Sequence, residues 1–232
     1  MVLGTVVNVI TIITGSLVGV FLKNRFKENY RNTIMNGLGM IVIIIGLMSA
    51  LKTEDILLVI MSVVIGSIIG EWIRIEDRLE NLGNMLERKA GQGSSNFSKG
   101  FVTASLIYCV GAMAIVGSLE SGLTGNHQTL FAKSIIDGVS SIIFSSTLGI
   151  GVAFSAVSVF VYQGIITLSA SFAKEFLIES VIREMAAVGG ILIIGIGINI
   201  LEIKRIKIGN MLPAIFIPLL YFIISSVVYK LI

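Results

Sequence analysis

Charged residues are scarce in this chain, because Asp, Glu, Lys and Arg together make up 13% of its 232 residues. Soluble domains carry about twice that share. The few charges lie in short clusters between long apolar runs, and 55% of the residues are hydrophobic. This composition excludes an ordinary soluble domain and predicts an all-α fold, a polytopic transmembrane helical bundle whose partner is the lipid bilayer.

Cysteine and histidine are each present once, as Cys109 and His127. A single cysteine excludes an intramolecular disulfide, and a single histidine makes a His-rich metal site or a Ser-His-Asp triad untenable. We therefore expect no cofactor, no metal site and no enzymatic activity. The net charge is +3, but the basic residues flank apolar runs instead of forming one face. We therefore expect no nucleic-acid partner.

Eight apolar stretches have lengths that suit a bilayer crossing. They lie at 2–22, 33–51, 56–73, 101–119, 130–148, 151–172, 182–201 and 211–229. After the third span, residues 71–90 repeat apolar side chains every three or four positions, which predicts a cytoplasmic amphipathic helix. Residues 91–96 follow as a Gly- and Ser-rich flexible joint. We predict one membrane domain at 1–232, with three spans at 1–73, the surface helix and joint at 74–96, and the remaining spans at 97–232.

Lys and Arg residues predict the orientation, because the cytoplasmic loops of membrane proteins are enriched in them. The loops after spans one, three and seven carry twelve, and the opposite side carries five. The N-terminus is therefore predicted to lie outside. The totals are the same if the fifth and sixth stretches form one kinked span, so the count leaves seven spans as the alternative to eight.

Residues 134–172 form an apolar stretch that is too long for one crossing. As a single helix it would extend about 60 Å, roughly twice the hydrocarbon thickness of a bilayer. We predict a helix break at Gly149 and Gly151.

The same stretch carries a lone acid, Asp137, and hydroxyl groups at helical spacing. An ionisable residue in the bilayer costs about 2.5 to 3.5 kcal/mol, so it normally faces a bundle interior, water or a partner. We therefore predict a polar pathway for a small cation or solute between spans five and six, lined by Asp137, Ser141, Ser145, Ser155, Ser158 and Tyr162.

Four polar residues are predicted to lie in the outer half of the membrane: Asn8, Glu120, Asp137 and Glu184. If they converge, their carboxylates form a vestibule that attracts cations and exchanges protons. The alternative is that Asp137 begins its helix near the headgroups, with the other two acids solvated beside it.

Spans one and three carry matching small residues, Gly15, Ser16 and Gly19 against Gly66, Ser67 and Gly70. Small faces let helices approach closely in lipid. They indicate helix packing, either within one chain or between two copies in a homodimer.

The segments CVGAMAIVGSLESGLTG at 109–125, AKSIIDGVSSIIFSSTLGIGVAFSAV at 132–157 and KIGNMLPA at 207–214 resemble the domain-of-unknown-function 554 family of bacterial integral membrane proteins. The resemblance covers nearly the whole chain. It implies a multi-pass protein of the bacterial inner membrane and brings no substrate or catalytic residue set. The family often has GPMA where this chain has GAMA at 111–114, so a proline kink is not expected in span four.

A transporter or channel for small solutes or ions is the leading hypothesis, because Gly-interrupted polar segments beside an intramembrane acid indicate a transport site. The alternative is a non-transporting membrane scaffold or sensor that acts through the 71–90 helix and its cytoplasmic partners.

Overall fold

The structure is a computed structural model that describes residues 2–22, 28–89, 97–110, 112–173 and 178–231. Within these ranges the chain forms α-helices, one 3₁₀ helix and short connections, with no strand. The all-helical prediction is confirmed. The predicted joint at 91–96 and the basic residues Lys23, Arg25, Lys27 and Lys174 lie outside the described residues.

The helices follow one another with short connections. They are α1 (Leu3–Leu22), α2 (Glu28–Ala50), α3 (Ile56–Ile73), α4 (Ile75–Lys89), α5 (Phe97–Val110), α6 (Ala112–Leu123), α7 (Gln128–Leu148), α8 (Gly151–Ala173), α9 (Glu179–Ile200), the 3₁₀ helix (Ile208–Phe216) and α10 (Ile217–Leu231).

Six segments in the described part of the chain are long and apolar enough to cross a membrane, and the count is seven if the bent pair α5 and α6 is one span. The multi-pass helical architecture is thus confirmed, whereas eight spans and the orientation stay predictions. Helix α7 is not among the six, because Lys133, Asp137 and many hydroxyl groups make it more polar.

The stretch predicted as span four forms two helices, α5 and α6, which are bent by 60° relative to each other. No proline occurs in this stretch, so a proline ring does not cause the bend. Both halves pack on α7 and α8, each at a different level of these two helices. Gly100 of α5 lies against Leu148 of α7 and Val152 of α8. On α6, Gly117 lies against Leu130 of α7 and Gly122 against Thr167 of α8.

The described chain divides into two compact units, each built from segments that are far apart in sequence. The first comprises Met1–Leu38, Asp77–Cys109 and Met113–Ser171, and the second comprises Gly39–Glu76, Val110–Ala112 and Phe172–Ile232. The predicted single domain with boundaries at 73 and 96 stays a prediction.

The small residues of α1 and α3 are used in packing inside these units. In the first unit, a Cβ added at Gly15 would overlap the backbone of Gly138 on α7. In the second unit, a Cβ added at Gly70 would overlap the backbone of Asn210. Close backbone approach therefore explains the glycines on both faces. A homodimer through them stays a prediction.

Two breaks shape the helices. Arg74, with φ of 57°, has a left-handed conformation that ends α3, so α4 starts at Ile75 and Trp72 belongs to α3. Gly149 separates α7 from α8 with φ of 83° and ψ of −164°, a conformation essentially restricted to glycine. The second break lies at the position predicted from the sequence. The surface location of α4 stays a prediction.

Candidate functional site

Asp137 lies inside the first unit, where a lysine and an asparagine contact it. Its side chain is buried, with 4% of the residue exposed. Lys133, one helical turn earlier on α7, places Nζ 2.5 Å from Oδ2 of Asp137. Asn8 of α1 donates from Nδ2 to the same oxygen at 3.0 Å. The helix pair α1 and α7 therefore encloses an ion pair with one amide attached.

Sequence reasoning missed Lys133, which it counted among the loop charges of the outer side. The structure buries this lysine, leaving 5% of it exposed. The signal was present in the sequence, because an acid and a base four residues apart meet on one helix face. The carboxylate of Asp137 is consequently neutralised by a counter-ion from its own helix.

Tyr108 extends this polar cluster to α5. Its hydroxyl lies 2.9 Å from the hydroxyl of Ser141 on α7, and its residue is fully buried. The ammonium group of Lys133 lies 5.9 Å from the centre of the Tyr108 ring, within the range of a cation–π contact. The ring therefore helps to compensate the lysine for its lost hydration.

Three other residues predicted to line the pathway, Ser145, Ser155 and Ser158, make hydrogen bonds inside the first unit. Ser145 donates to the carbonyl of Ser16 on α1 at 2.9 Å. Ser158 accepts from Ser105 of α5 at 2.9 Å, and Ser155 donates to the carbonyl of Val152 in its own helix at 2.6 Å. The predicted row of serines is therefore engaged in contacts inside the first unit.

Glu120 lies apart from the ion pair. It accepts a hydrogen bond from Thr129 at 2.6 Å, near the start of α7. Thr129 precedes Asp137 by eight residues, which is about 12 Å along a helix. Of the four residues predicted to converge, the structure thus brings Asn8 and Asp137 together and gives Glu120 a partner of its own.

Glu184 belongs to the second unit, where it holds the connection between α2 and α3. Its carboxylate accepts from the hydroxyl of Thr53 at 2.5 Å and from the backbone N–H of Glu54 at 2.9 Å. Arg183 places Nη2 2.5 Å from Oε2 of Glu54. These contacts hold the connection between α2 and α3 against α9. Among the described residues, the charged groups in this cluster come from the connection and from α9.

Several buried polar atoms of the first unit have no hydrogen-bond partner within the described chain. Next to the ion pair, Oδ1 of Asn8 is such an atom. The hydroxyl of Tyr162 is another, and the remaining members on α6 and α8 are Ser118, Gln163 and Thr167. Tyr162 was predicted from the sequence, whereas the other three were not.

An unpartnered amide oxygen beside a carboxylate is a pair of acceptors for a cation or a hydrogen-bond donor. Here the pair lies in a buried interior that already holds a lysine ammonium. The unpartnered Asn8 oxygen, the Asp137 carboxylate and the Lys133 ammonium thus lie in one buried cluster.

Apolar helices, a buried ion pair and close glycine packing together define a multi-pass helical membrane protein. The model of the family described as "Protein of unknown function (DUF554)" matches residues 3–223. The chain belongs to this family, as its sequence segments indicated.

Two relatives cover nearly the whole chain. The "Uncharacterized membrane protein YdfK" of Bacillus subtilis (strain 168) is 34% identical over 219 residues, which are 93% of each chain. The "Uncharacterized protein YqgA" of Escherichia coli (strain K12) is 26% identical over 226 residues, which are 94% of this chain and 95% of the relative. No solved structure matches the chain significantly.

Proposed function

We propose that this protein is a transporter or channel for small solutes or ions, with its polar pathway in the first unit. The buried pair of Lys133 and Asp137 carries this proposal. Two charges removed from water lose more hydration than their mutual attraction readily returns. Charges inside a membrane protein are accordingly associated with ion pathways and proton relays. An ion pair and neutral hydroxyl groups also suit binding and passage better than catalysis, so we propose no enzymatic activity.

Asp137 is the proposed binding site for a cation or a proton. A cation held between its carboxylate and Oδ1 of Asn8 would compete with the ammonium group of Lys133. A proton on the carboxylate would equally release Lys133. In the absence of either, Lys133 serves as the counter-ion. The carboxylate is then paired or protonated at every stage, and the released ammonium group of Lys133 carries the cost of a lone charge until the cation or proton leaves.

Helix packing inside the first unit supports eight spans. Helix α7 begins beside Gly117 of α6 and ends beside Gly100 of α5. Helix α8 begins beside Phe97 of α5 and later contacts Gly122 near the end of α6. Helices α7 and α8 each extend along the whole α5 and α6 pair, and they run in opposite directions to each other. If that pair is one crossing, α7 and α8 are two.

The orientation with an external N-terminus also gains support. Lys133 is buried in an ion pair, so it does not act as an exposed loop charge. Without it, four basic residues remain on the outer side against twelve on the cytoplasmic side. Both relatives come from bacteria, and apolar helices of this length suit an inner membrane, so we propose a bacterial inner membrane as the location.

Proteoliposomes containing the full chain test the transport function. A pH-sensitive dye and a potential-sensitive dye inside the vesicles report the entry of protons, Na⁺ and K⁺ under imposed gradients. The parent protein is expected to move at least one of these cations. The Asp137→Asn variant is expected to lose this flux, because an amide does not bind a cation or a proton as a carboxylate does.

Val139→Ala is the matched control, because Val139 lies two residues from Asp137 on the same helix and is exposed at 54%. It should retain the parent flux. Equal flux in the parent and Asp137→Asn would remove Asp137 from the mechanism. A parent indistinguishable from protein-free vesicles would reject transport of these cations and favour the scaffold or sensor alternative.

A further inference from the structure

The side-chain amide of Asn8 suits both protonation states of Asp137. Its Nδ2 donates to Oδ2 of the carboxylate at 3.0 Å, whereas its Oδ1 is buried and has no hydrogen-bond partner within the described chain. A protonated carboxyl group has an O–H donor in place of one acceptor. Rotation of the amide by half a turn would present Oδ1 to that O–H. Asn8 is therefore able to hydrogen-bond Asp137 with or without a proton.

Lys133 also has a favourable contact in the protonated state. In the ion pair its Nζ lies 2.5 Å from Oδ2 of Asp137. Protonation removes the charge of the carboxylate and leaves the ammonium group without its counter-ion. The centre of the Tyr108 ring lies 5.9 Å from Nζ, and the face of an aromatic ring attracts a cation. The ring thus offsets part of the cost of the released ammonium group.

The carboxylate of Asp137 is contacted by hydrogen-bond donors. Its Oδ2 accepts from both Lys133 and Asn8. Two hydroxyl groups on the same helix are engaged elsewhere, because Ser134 donates to a carbonyl of its own helix and Ser141 pairs with Tyr108. A metal cation requires a shell of several oxygen ligands, whereas a proton requires one lone pair. The groups around Asp137 therefore favour a proton.

Close packing of α1 on α7 limits the space beside Asp137. A Cβ added at Gly15 would overlap the backbone of Gly138, the residue that follows Asp137. A Cβ added at Gly138 would lie 3.1 Å from Cβ of Thr11, which is closer than ordinary van der Waals contact. A metal cation with its ligands would have to separate the two helices here, but a proton adds no heavy atom. Packing and donor groups therefore favour the same ion.

We propose that the cation bound at Asp137 is a proton, and that Na⁺ and K⁺ are not bound there. The inference rests on the proposed transport function and specifies the ion that the buried pair handles. The carboxylate takes up one proton from water and becomes a neutral carboxylic acid beside the ammonium group of Lys133. Loss of that proton to water restores the ion pair. The net charge of the pair thus changes from zero to plus one and back.

Three titratable groups among the described residues interact with Asp137. Lys133 lies on α7, and Tyr108 and Cys109 lie on α5. Helix α1 contributes Asn8, which does not titrate. Phenol and thiol groups ordinarily lose their protons above neutral pH, so both are neutral when the pH falls from neutral to acidic. In that range the carboxylate is the member of the cluster that gains a proton.

Infrared difference spectroscopy on the full chain in lipid vesicles tests proton uptake directly. Acidification should produce the C=O stretching band of a protonated carboxyl group, and the band should shift in D₂O. Part of this band should be missing from Asp137→Asn and from the Lys133→Met/Asp137→Asn double variant, because both lack the carboxyl group. Val139→Ala is the control, since Val139 is 54% exposed on the same helix, and it should give the parent band.

Circular dichroism identifies any variant that does not fold, and only folded variants are compared. The double variant keeps the test decisive if Asp137→Asn does not fold, because it leaves no lone ion in the interior. A parent band identical to that of a folded variant without the carboxyl group would overturn the proposal.

Proteoliposomes distinguish a proton from a metal cation as the transported ion. A pH gradient should drive proton entry through the parent protein at the same rate when choline replaces Na⁺ and K⁺, with a permeant anion to balance the charge. Gradients of Na⁺ or K⁺ alone should give no more flux than protein-free vesicles. Asp137→Asn and the double variant should lower proton entry to the protein-free rate.

The outcomes separate this inference from the proposed function. If Na⁺ or K⁺ crosses and Asp137→Asn abolishes that flux, the proton assignment is wrong and the transport function stands. If neither protons nor metal cations move, the transport function fails. The infrared band then confirms or rejects proton binding at Asp137 by itself, because it does not depend on transport.

Discussion

Removal of either member of the Lys133–Asp137 pair should strongly destabilise the protein. In the Asp137→Asn variant, the ammonium group of Lys133 stays buried and loses its charge partner, while Asn8 keeps a neutral acceptor. Breaking a buried ion pair at one partner costs about 3–5 kcal/mol. Because the two charged atoms are close together and both residues are almost completely buried, we expect the loss of stability to lie within this range of about 3–5 kcal/mol. We expect a loss of about 3 kcal/mol or more.

The double variant Lys133→Met/Asp137→Asn removes both charges at once. It should be markedly more stable than Asp137→Asn, because an uncharged buried pair leaves no lone ion. The two substitutions should therefore couple by about 2–3 kcal/mol in a double-mutant cycle. Val139→Ala should change the free energy of unfolding only slightly, because Val139 lies on the exposed side of the same helix and is 54% exposed.

Titration with SDS in mixed micelles measures the free energies of unfolding, with far-UV circular dichroism following helix content. All four proteins of the cycle are compared at one pH and lipid composition. Additive effects of the two substitutions would show that the charges do not interact. A stability of Asp137→Asn within about 0.5 kcal/mol of the parent would refute burial of the pair, since exposed ion pairs contribute about that much.

Three further predictions concern packing, a loop and the bilayer interface. Gly151→Ala should lower the melting temperature, because its Cβ would overlap the backbone of Phe97, and overpacking costs about 1–3 kcal/mol. Gly164→Ala should instead leave stability equal or raise it by up to about 1 kcal/mol through helix propensity; equal melting of the two variants would contradict this packing. Glu184→Ala should cost about 1–3 kcal/mol in the same SDS titration, because two donors lose their acceptor, and an unchanged midpoint would reject the loop contact. Trp72 is the single tryptophan, lies 86% exposed at the end of an apolar helix, and should have its fluorescence quenched by lipids brominated near the headgroup; quenching by aqueous iodide alone would place it in water.

Helix positions follow closely from the sequence, because apolar run length and glycine breaks are local features. Helices α1, α3 and α7 end at the residues where the predicted spans end. The bend between α5 and α6 escaped prediction, because no proline marks it in the sequence. The start of α4 was also placed too early, since the left-handed Arg74 gives no compositional signal.

The candidate site was only partly predictable. Asp137 was singled out because one acid in an apolar run is conspicuous, and Asn8 was assigned to the same depth. The pairing with Lys133 could have been read from the four-residue spacing, but the lysine was assigned to a loop. The buried amide of Gln163 gave no signal, because a neutral polar residue within a helix is common on any face.

The sequence by itself determined the class of protein: its shortage of charge, its long apolar runs and its family segments require a multi-pass helical membrane protein. It also located the helix break at Gly149, since only glycine readily adopts that backbone conformation. The tertiary structure decided which polar groups satisfy one another. Hydrogen bonds and ion pairs between helices depend on how each helix is rotated about its axis and shifted along its neighbour. A shift of a few ångströms changes which side chains meet, although the amino-acid composition of each helix is the same. Contacts between α1 and α7 therefore show that Asp137 is paired. Helices α6 and α8 bury side chains that have no hydrogen-bond partner within the described chain, namely Ser118, Gln163 and Thr167.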